Sequence, residues 1–150
     1  MERTAIPGSA PDHSGCRRER AVDPEAPVRA TIVLRPSDPG VAAKLLSGRY
    51  DPAAHTSAGA DPHAMAAVEA FARDNDLVIE ESDAAGRRVV VSGPSSRMGA
   101  AFGVTFGEFV SPNGVTFRGY DRDISLPSGI AKYVLAVLGL DTRPAARPRQ

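Results

Sequence analysis

Residues 88–109 read RVVVSGPSSRMGAAFGVTFGEF, and the rest of the chain can be arranged around this stretch. It begins with an apolar, β-branched run that is typical of a buried strand. Pro94, followed by Ser95 or Ser96 as N-cap, opens a short helix that Gly103 ends. From Thr105 onward the alternation of a strand returns. The stretch therefore predicts strand, helix and strand, and the apolar stripe of the helix is formed by Met98, Ala101 and Phe102.

The segment before this stretch predicts two more strands and a longer helix. Residues 28–34 alternate between an apolar and a mixed face, as a strand does. Asp61 and Pro62 form a strong helix start, because aspartate caps free amides and proline lacks the amide that would stay unpaired. This helix is expected to end near Asn75, and residues 77–82 then form a strand that turns back into the strand at 88–92.

The segment after the stretch predicts a hairpin and a last helix. Asn113 and Gly114 favour a tight turn, so residues 115–120 are expected to return beside the strand that starts at Thr105. Ser128 is the expected cap of a final helix, which Gly139 ends. The apolar stripe of that helix is formed by Ile130, Val134, Val137 and Leu138.

The order β, α, β, β, α, β predicts an α+β fold: a ferredoxin-like split βαβ sandwich, with a four-stranded antiparallel sheet and two helices on one face. An extra hairpin strand and the C-terminal helix complete it. The second face of the sheet is left open. Its composition fits either an ordinary sheet surface or a docking surface for another domain, with about even odds. The expected residues of this face are Thr31, Val33, Val78, Glu80, Arg88 and Val90.

Composition predicts one domain with an irregular segment at each end. The 150 residues carry 18 basic and 18 acidic side chains, so no strong field indicates a nucleic-acid or membrane partner. Residues 1–27 show neither helical nor strand periodicity and are expected to be a disordered tail. Residues 28–140 are the predicted domain, and residues 141–150 an extended linker. The linker residues of interest are Arg143, Pro144, Arg147, Pro148 and Arg149.

The sequence contains no pattern that indicates catalysis, a metal site or a cofactor. His13, His55 and His63 have no spacing that brings two of them to one helix face, and no nucleophile or phosphate-loop motif is present. Two alternatives remain open. An RNA-recognition module shares the predicted fold but needs aromatic residues on its central strands, and the runs VRATIVL and RVVVS have none. A stand-alone peptidase inhibitor or a small-ligand-binding domain is the other alternative.

Several separated motifs occur in this chain: VSGP at 91–94, AFGV at 101–104, FR at 117–118, LP at 126–127 and VLGLDTRP at 137–144. Together they resemble the activation prodomain of the sedolisin serine-carboxyl peptidases, and the kumamolisin type above all. The resemblance implies a domain without catalytic residues, which helps its own peptidase to fold and inhibits it. The catalytic serine, glutamate and aspartate are then expected in a downstream domain.

The resemblance also implies how the domain is used. Its partner is the cognate catalytic domain, normally in the same precursor, and the precursor is extracellular although no signal peptide is visible. Docking through the open sheet face is then favoured, and acid-triggered proteolysis of the linker releases the enzyme. The acidic residues that we expect to sense pH are Glu80, Glu81, Asp83, Glu108, Asp121 and Asp123.

Overall fold

The computed structural model describes residues 2–11, 13, 15–36 and 59–142. Residues 37–58, which include His55, lie outside the described part of the chain. In chain order the described elements are β1 (Arg3–Ala5), β2 (Arg17–Ala21), β3 (Pro27–Leu34), α1 (Pro62–Asp74), β4 (Val78–Asp83), β5 (Arg88–Pro94), α2 (Ser95–Phe102), β6 (Phe106–Val110), β7 (Thr116–Tyr120), β8 (Ser125–Pro127), α3 (Ser128–Ala131) and β9 (Val134–Leu138).

A four-stranded sheet forms the centre of the molecule, with the strand order β4, β5, β3, β9. Every neighbouring pair in it is antiparallel. The fold is therefore α+β with antiparallel sheets, as predicted. The strand order, with α1 after β3 and α2 after β5, is compatible with the ferredoxin-like arrangement.

The core lies between one face of this sheet and the two longer helices. Alternation along β3 and β5 directs the apolar residues inward, where they meet the stripes of α1 and α2. Phe102 is fully buried at the end of α2, beside Met98 and Ala101. The predicted stripe of α2 is thus correct.

The predicted start of α1 is confirmed, and that of α2 is corrected. Asp61 accepts a hydrogen bond from the His63 amide at 2.7 Å, and Pro62 opens α1. No serine side chain caps α2. Instead, the amides of Ser95 and Ser96 donate to the backbone carbonyls of Ala26 and Pro24, which lie in the segment just before β3. Because these carbonyls already satisfy the first free amides, the helix needs no side-chain cap.

The predicted C-terminal helix is wrong beyond its first turn. Only Ser128–Ala131 is helical, and Val134–Leu138 is a strand that pairs with β3. The spacing of Val134 and Val137 imitates a helical stripe, but a register shift between Val33 and Leu34 allows both to be buried from a strand. This apolar run thus completes the sheet.

The strand predicted from Thr105 belongs to a different sheet. It is β6 (Phe106–Val110), which pairs with β7 as the predicted hairpin. Its other neighbour is β2, so the three strands form a second sheet with the order β2, β6, β7. The fourth place in the central sheet, which the sequence assigned to this strand, belongs to β9.

The prediction of a disordered tail at residues 1–27 is also wrong. β1 pairs with β8, β2 pairs with β6, and β3 begins at Pro27. Between the first two strands the ring of His13 stacks on Phe109, with centroids 4.2 Å apart. The side chains of β1 and β2 are exposed, so this segment is held mainly by backbone pairing, which hydrophobic periodicity cannot detect.

Candidate functional site

Five of the six residues that the sequence assigned to the open face are in register there, and the sixth, Glu80, is the extra residue at the irregularity of β4. In one row across the strands, Glu81, Val90, Thr31 and Leu138 are neighbours. The rows on either side of it are Val78, Ser92 and Arg29, and Asp83, Arg88, Val33 and Ala136. Arg29 reaches Glu80 from this face, at 3.5 Å from Nε to Oε2. Their role in docking stays a prediction.

Two exposed apolar side chains lie on opposite edges of this face. Val78 on β4 is 60% exposed and Leu138 on β9 is 56% exposed. Val90, between them, is buried by its neighbours and offers little surface. Sequence reasoning missed Leu138 and Ala136, because it placed them on a helix. Ala136 and Leu138 alternate with the buried Val137, and this short alternation was the available sign of a strand.

Ion pairs concentrate at the β4 edge of the open face. Arg88 lies 2.9 Å from Glu81 and 3.5 Å from Asp83, and both carboxylates, Glu81 most, raise the pKa of this exposed arginine. Arg29 pairs with Glu80 across the sheet. Exposed pairs of this kind contribute little to stability, so their charges are available for recognition.

The six acidic residues of the predicted pH-sensing set lie in three places. Glu80, Glu81 and Asp83 are at the β4 edge, Glu108 is on β6, and Asp121 and Asp123 follow β7. Each already has a partner inside the domain. Glu108 pairs with Arg20 at 3.0 Å, and Asp123 accepts from the Ala10 amide at 2.7 Å. Because they lie in three separate places, the six carboxylates do not form one cluster.

Asp121 is the member of this set whose pKa clearly departs from the ordinary value. Burial opposes its charged form, but hydrogen bonds from the Arg122 guanidinium and the Thr105 amide outweigh this effect and lower the pKa of Asp121. The bond to Thr105 joins the start of β6 to the end of β7. The charge of Asp121 thus stabilises the hairpin.

The chain leaves the domain beside β7. After β9, Gly139 turns the backbone at φ +94° and Leu140 is buried. Thr142 then bonds to the backbone of Arg118, so the ordered domain extends past the boundary predicted at residue 140. The predicted linker residues lie outside the described part of the chain; these are Arg143, Pro144, Arg147, Pro148 and Arg149.

Within the described residues, no three histidine, cysteine, aspartate or glutamate side chains come together as metal ligands would. Among the helices of the described part, none is long and apolar enough to cross a membrane. The arrangement that remains is a mixed polar and apolar sheet face, together with a fixed exit for the chain.

Comparison with known proteins identifies the class of this domain. The family described as "Pro-kumamolisin, activation domain" matches residues 14–143, and the chain belongs to this family. The match begins well before residue 28 and includes β2.

A curated relative gives the same assignment. Over 132 residues the chain is 36% identical to kumamolisin from Bacillus sp. (strain MN-32). This stretch covers 88% of the chain and 22% of kumamolisin. The chain thus spans about a fifth of the relative that it matches, and its family is that of the precursor's activation domain.

Proposed function

We propose that this chain serves as the prodomain of a kumamolisin-like serine-carboxyl peptidase, where it assists folding of the catalytic domain and inhibits it until acid-triggered proteolysis. The observation that carries the proposal is the extent of the match. The activation-domain family covers residues 14–143, and kumamolisin matches over most of this chain but only a fifth of its own length. The domain itself is proposed to be non-catalytic, and its precursor to be extracellular.

The open sheet face is the proposed docking surface for the catalytic domain. Val78 and Leu138 supply exposed apolar side chains, while Arg29, Arg88 and their acidic partners supply charges around them. Such a mixture of apolar contacts and polar groups is typical of protein interfaces. The opposite face is unavailable, because α1 and α2 cover it.

The charge of the β4 edge explains how acid could weaken docking. With its carboxylates ionised, the group of Arg29, Arg88, Glu80, Glu81 and Asp83 carries one net negative charge. Carboxylates in proteins generally lose their charge toward about pH 4, whereas arginine stays cationic. If the carboxylates of this edge are neutralised, only the two charges of Arg29 and Arg88 remain, and a partner surface that fits the first state is repelled by the second.

The RNA-binding alternative receives no support from the sheet. β3 and β5, its two central strands, carry no aromatic side chain on which a base could stack.

Inhibition and refolding assays test the proposal. The full chain is expected to inhibit mature kumamolisin of Bacillus sp. (strain MN-32) in a saturable way, and to raise the yield when that enzyme is refolded from denaturant. The variant Leu138→Glu is expected to inhibit the enzyme more weakly and to raise the refolding yield less. Absence of inhibition at micromolar concentration, with the chain folded, would contradict the proposed function.

A further inference from the structure

The last described residues of the chain bind Arg118 of β7. Its guanidinium donates to two successive carbonyls, from Nε to the Leu140 oxygen and from Nη2 to the Gly139 oxygen, each at 3.0 Å. The same group lies over the ring of Phe106, 5.7 Å from the centroid. Two fixed donors and an aromatic support hold the turn after β9 in one orientation.

The backbone of Arg118 completes the attachment. Its carbonyl accepts from the Thr142 amide at 2.9 Å, and its amide donates to Thr142 Oγ1 at 2.8 Å. The threonine hydroxyl thus takes the place that a carbonyl would have in a strand pair. We call Arg118, Gly139, Leu140 and Thr142 the exit latch.

The exit latch includes hydrogen bonds beyond the last residue that packs in the core. Leu140 is the last buried apolar residue of the described chain, so packing could end there. Thr142 lies two residues further on, is exposed, and is nevertheless bonded through both its amide and its hydroxyl. These bonds set where the chain leaves the domain, within the first residues of the linker proposed at 141–150.

We propose that the exit latch positions the linker toward the active site of the bound peptidase, with Arg118 and Thr142 as its positioning residues. This inference rests on the proposed function. A segment that starts from a fixed point and direction loses less entropy on binding, and its local concentration at the cleft is higher. The latch thus makes residues 143–150 contribute to inhibition and places their bonds for processing.

Hydrogen exchange tests the latch without any peptidase. In Thr142→Val the acceptor for the Arg118 amide is lost, and in Arg118→Lys the charge stays but the paired carbonyl contacts are lost. Exchange of the backbone amide of residue 142 is expected to be about fivefold faster or more in either variant, because one typical hydrogen bond is lost. Arg122→Gln is the matched control, since this exposed arginine contacts Asp121 and not the exit.

A cycle with a linker deletion tests the positioning role. Deleting residues 143–150 removes no described element, so the ratio of inhibition constants with and without them measures the linker's contribution to inhibition of the kumamolisin relative. This ratio is expected to fall about fivefold or more in Thr142→Val and Arg118→Lys, and to stay unchanged in Arg122→Gln. A purely structural defect would change both inhibition constants alike and leave the ratio unchanged.

The outcomes separate this inference from the proposed function. An unchanged Thr142 exchange rate would overturn the latch, whatever the peptidase does. Faster exchange with an unchanged ratio would overturn the positioning role and leave the prodomain function standing. A wild-type chain that does not inhibit would overturn the proposed function, and the positioning role with it.

Discussion

Phe71 and Phe102 pack edge to face across the two longer helices, with their ring centroids 5.8 Å apart and their planes inclined by 65°. Both rings are buried, and Phe102 has no exposed surface. The contact joins α1 to α2 above the inner face of the central sheet. Loss of this contact therefore affects the packing of both helices on the sheet.

Phe102→Ala is expected to lower the free energy of unfolding by about 3–5 kcal/mol, because it removes apolar contacts and leaves a cavity. Chemical denaturation measures this change. Val115→Ala is the control, since Val115 is 42% exposed and its truncation should change the midpoint little. An unchanged midpoint for Phe102→Ala would show that the aromatic contact does not support the core.

Gly119→Ala tests whether the N-terminal segment is part of the folded domain. A methyl group at this position would lie 2.6 Å from Cε1 of His13, whose ring cannot withdraw without leaving Phe109. We expect a loss of about 1–3 kcal/mol in the free energy of unfolding, as for other overpacked sites.

Gly129→Ala is the matched control for this substitution, because nothing lies within 4 Å of its added methyl group. Thermal unfolding of the two variants should differ clearly. Equal midpoints would mean that residue 13 does not cover β7 in solution.

Periodicity revealed the elements that bury one face and missed those that bury none. β3, α1 and α2 followed from their apolar alternation or stripes, since their inner side chains are nearly all buried. The segments RTA and RRERA expose every side chain and are held mainly by backbone bonds, which no apolar pattern reports. β9 was read as a helix because its register shift gives a strand the spacing of a helical stripe.

The same reasoning explains the candidate site. Thr31, Val33, Arg88 and Val90 came from the alternation of the central strands, which leaves little freedom in assigning a face. Leu138 and Arg118 could not be found this way. Leu138 could be assigned to the face only once β9 was known to be the fourth strand. Arg118 binds the carbonyls of Gly139 and Leu140, more than 20 residues further along the chain, and only the tertiary structure brings these groups together.

Asp121→Asn is expected to make stability less dependent on pH. The pKa of Asp121 is lowered in the folded chain, so its charge stabilises the fold above the unfolded value of about 3.9, and this stabilisation is lost as the pH falls through the folded pKa. The variant should be less stable by up to about 1 kcal/mol at pH 7, since the pair with Arg122 is exposed. The difference should shrink toward pH 3. Urea denaturation at several pH values checks this, and a difference that grows in acid would contradict the assignment.

Leu138→Glu is expected to weaken inhibition of the kumamolisin relative about tenfold or more, with little change in stability. The side chain is exposed on the proposed docking face, and a charge introduced into an apolar contact is costly to desolvate. Val115→Glu carries the same charge on an apolar residue in the β6–β7 turn and serves as control. Equal inhibition constants for the two variants would place docking elsewhere.

Acid release is expected to depend on the carboxylates of the β4 edge. The dissociation constant for a catalytically inactive kumamolisin relative should rise by about tenfold or more from pH 7 to pH 3, because neutralising the edge carboxylates would leave only the charges of Arg29 and Arg88. Replacing Glu80, Glu81 and Asp83 by their amides fixes the edge in its acid state. That variant should bind weakly already at pH 7 and show a flatter profile, while Glu108→Gln, on the other sheet, should keep the wild-type profile.

Circular dichroism at each pH confirms that both partners stay folded. A wild-type profile that is flat over this range would refute the charge mechanism, and a steep profile in the triple amide variant would place the pH sensor on the peptidase.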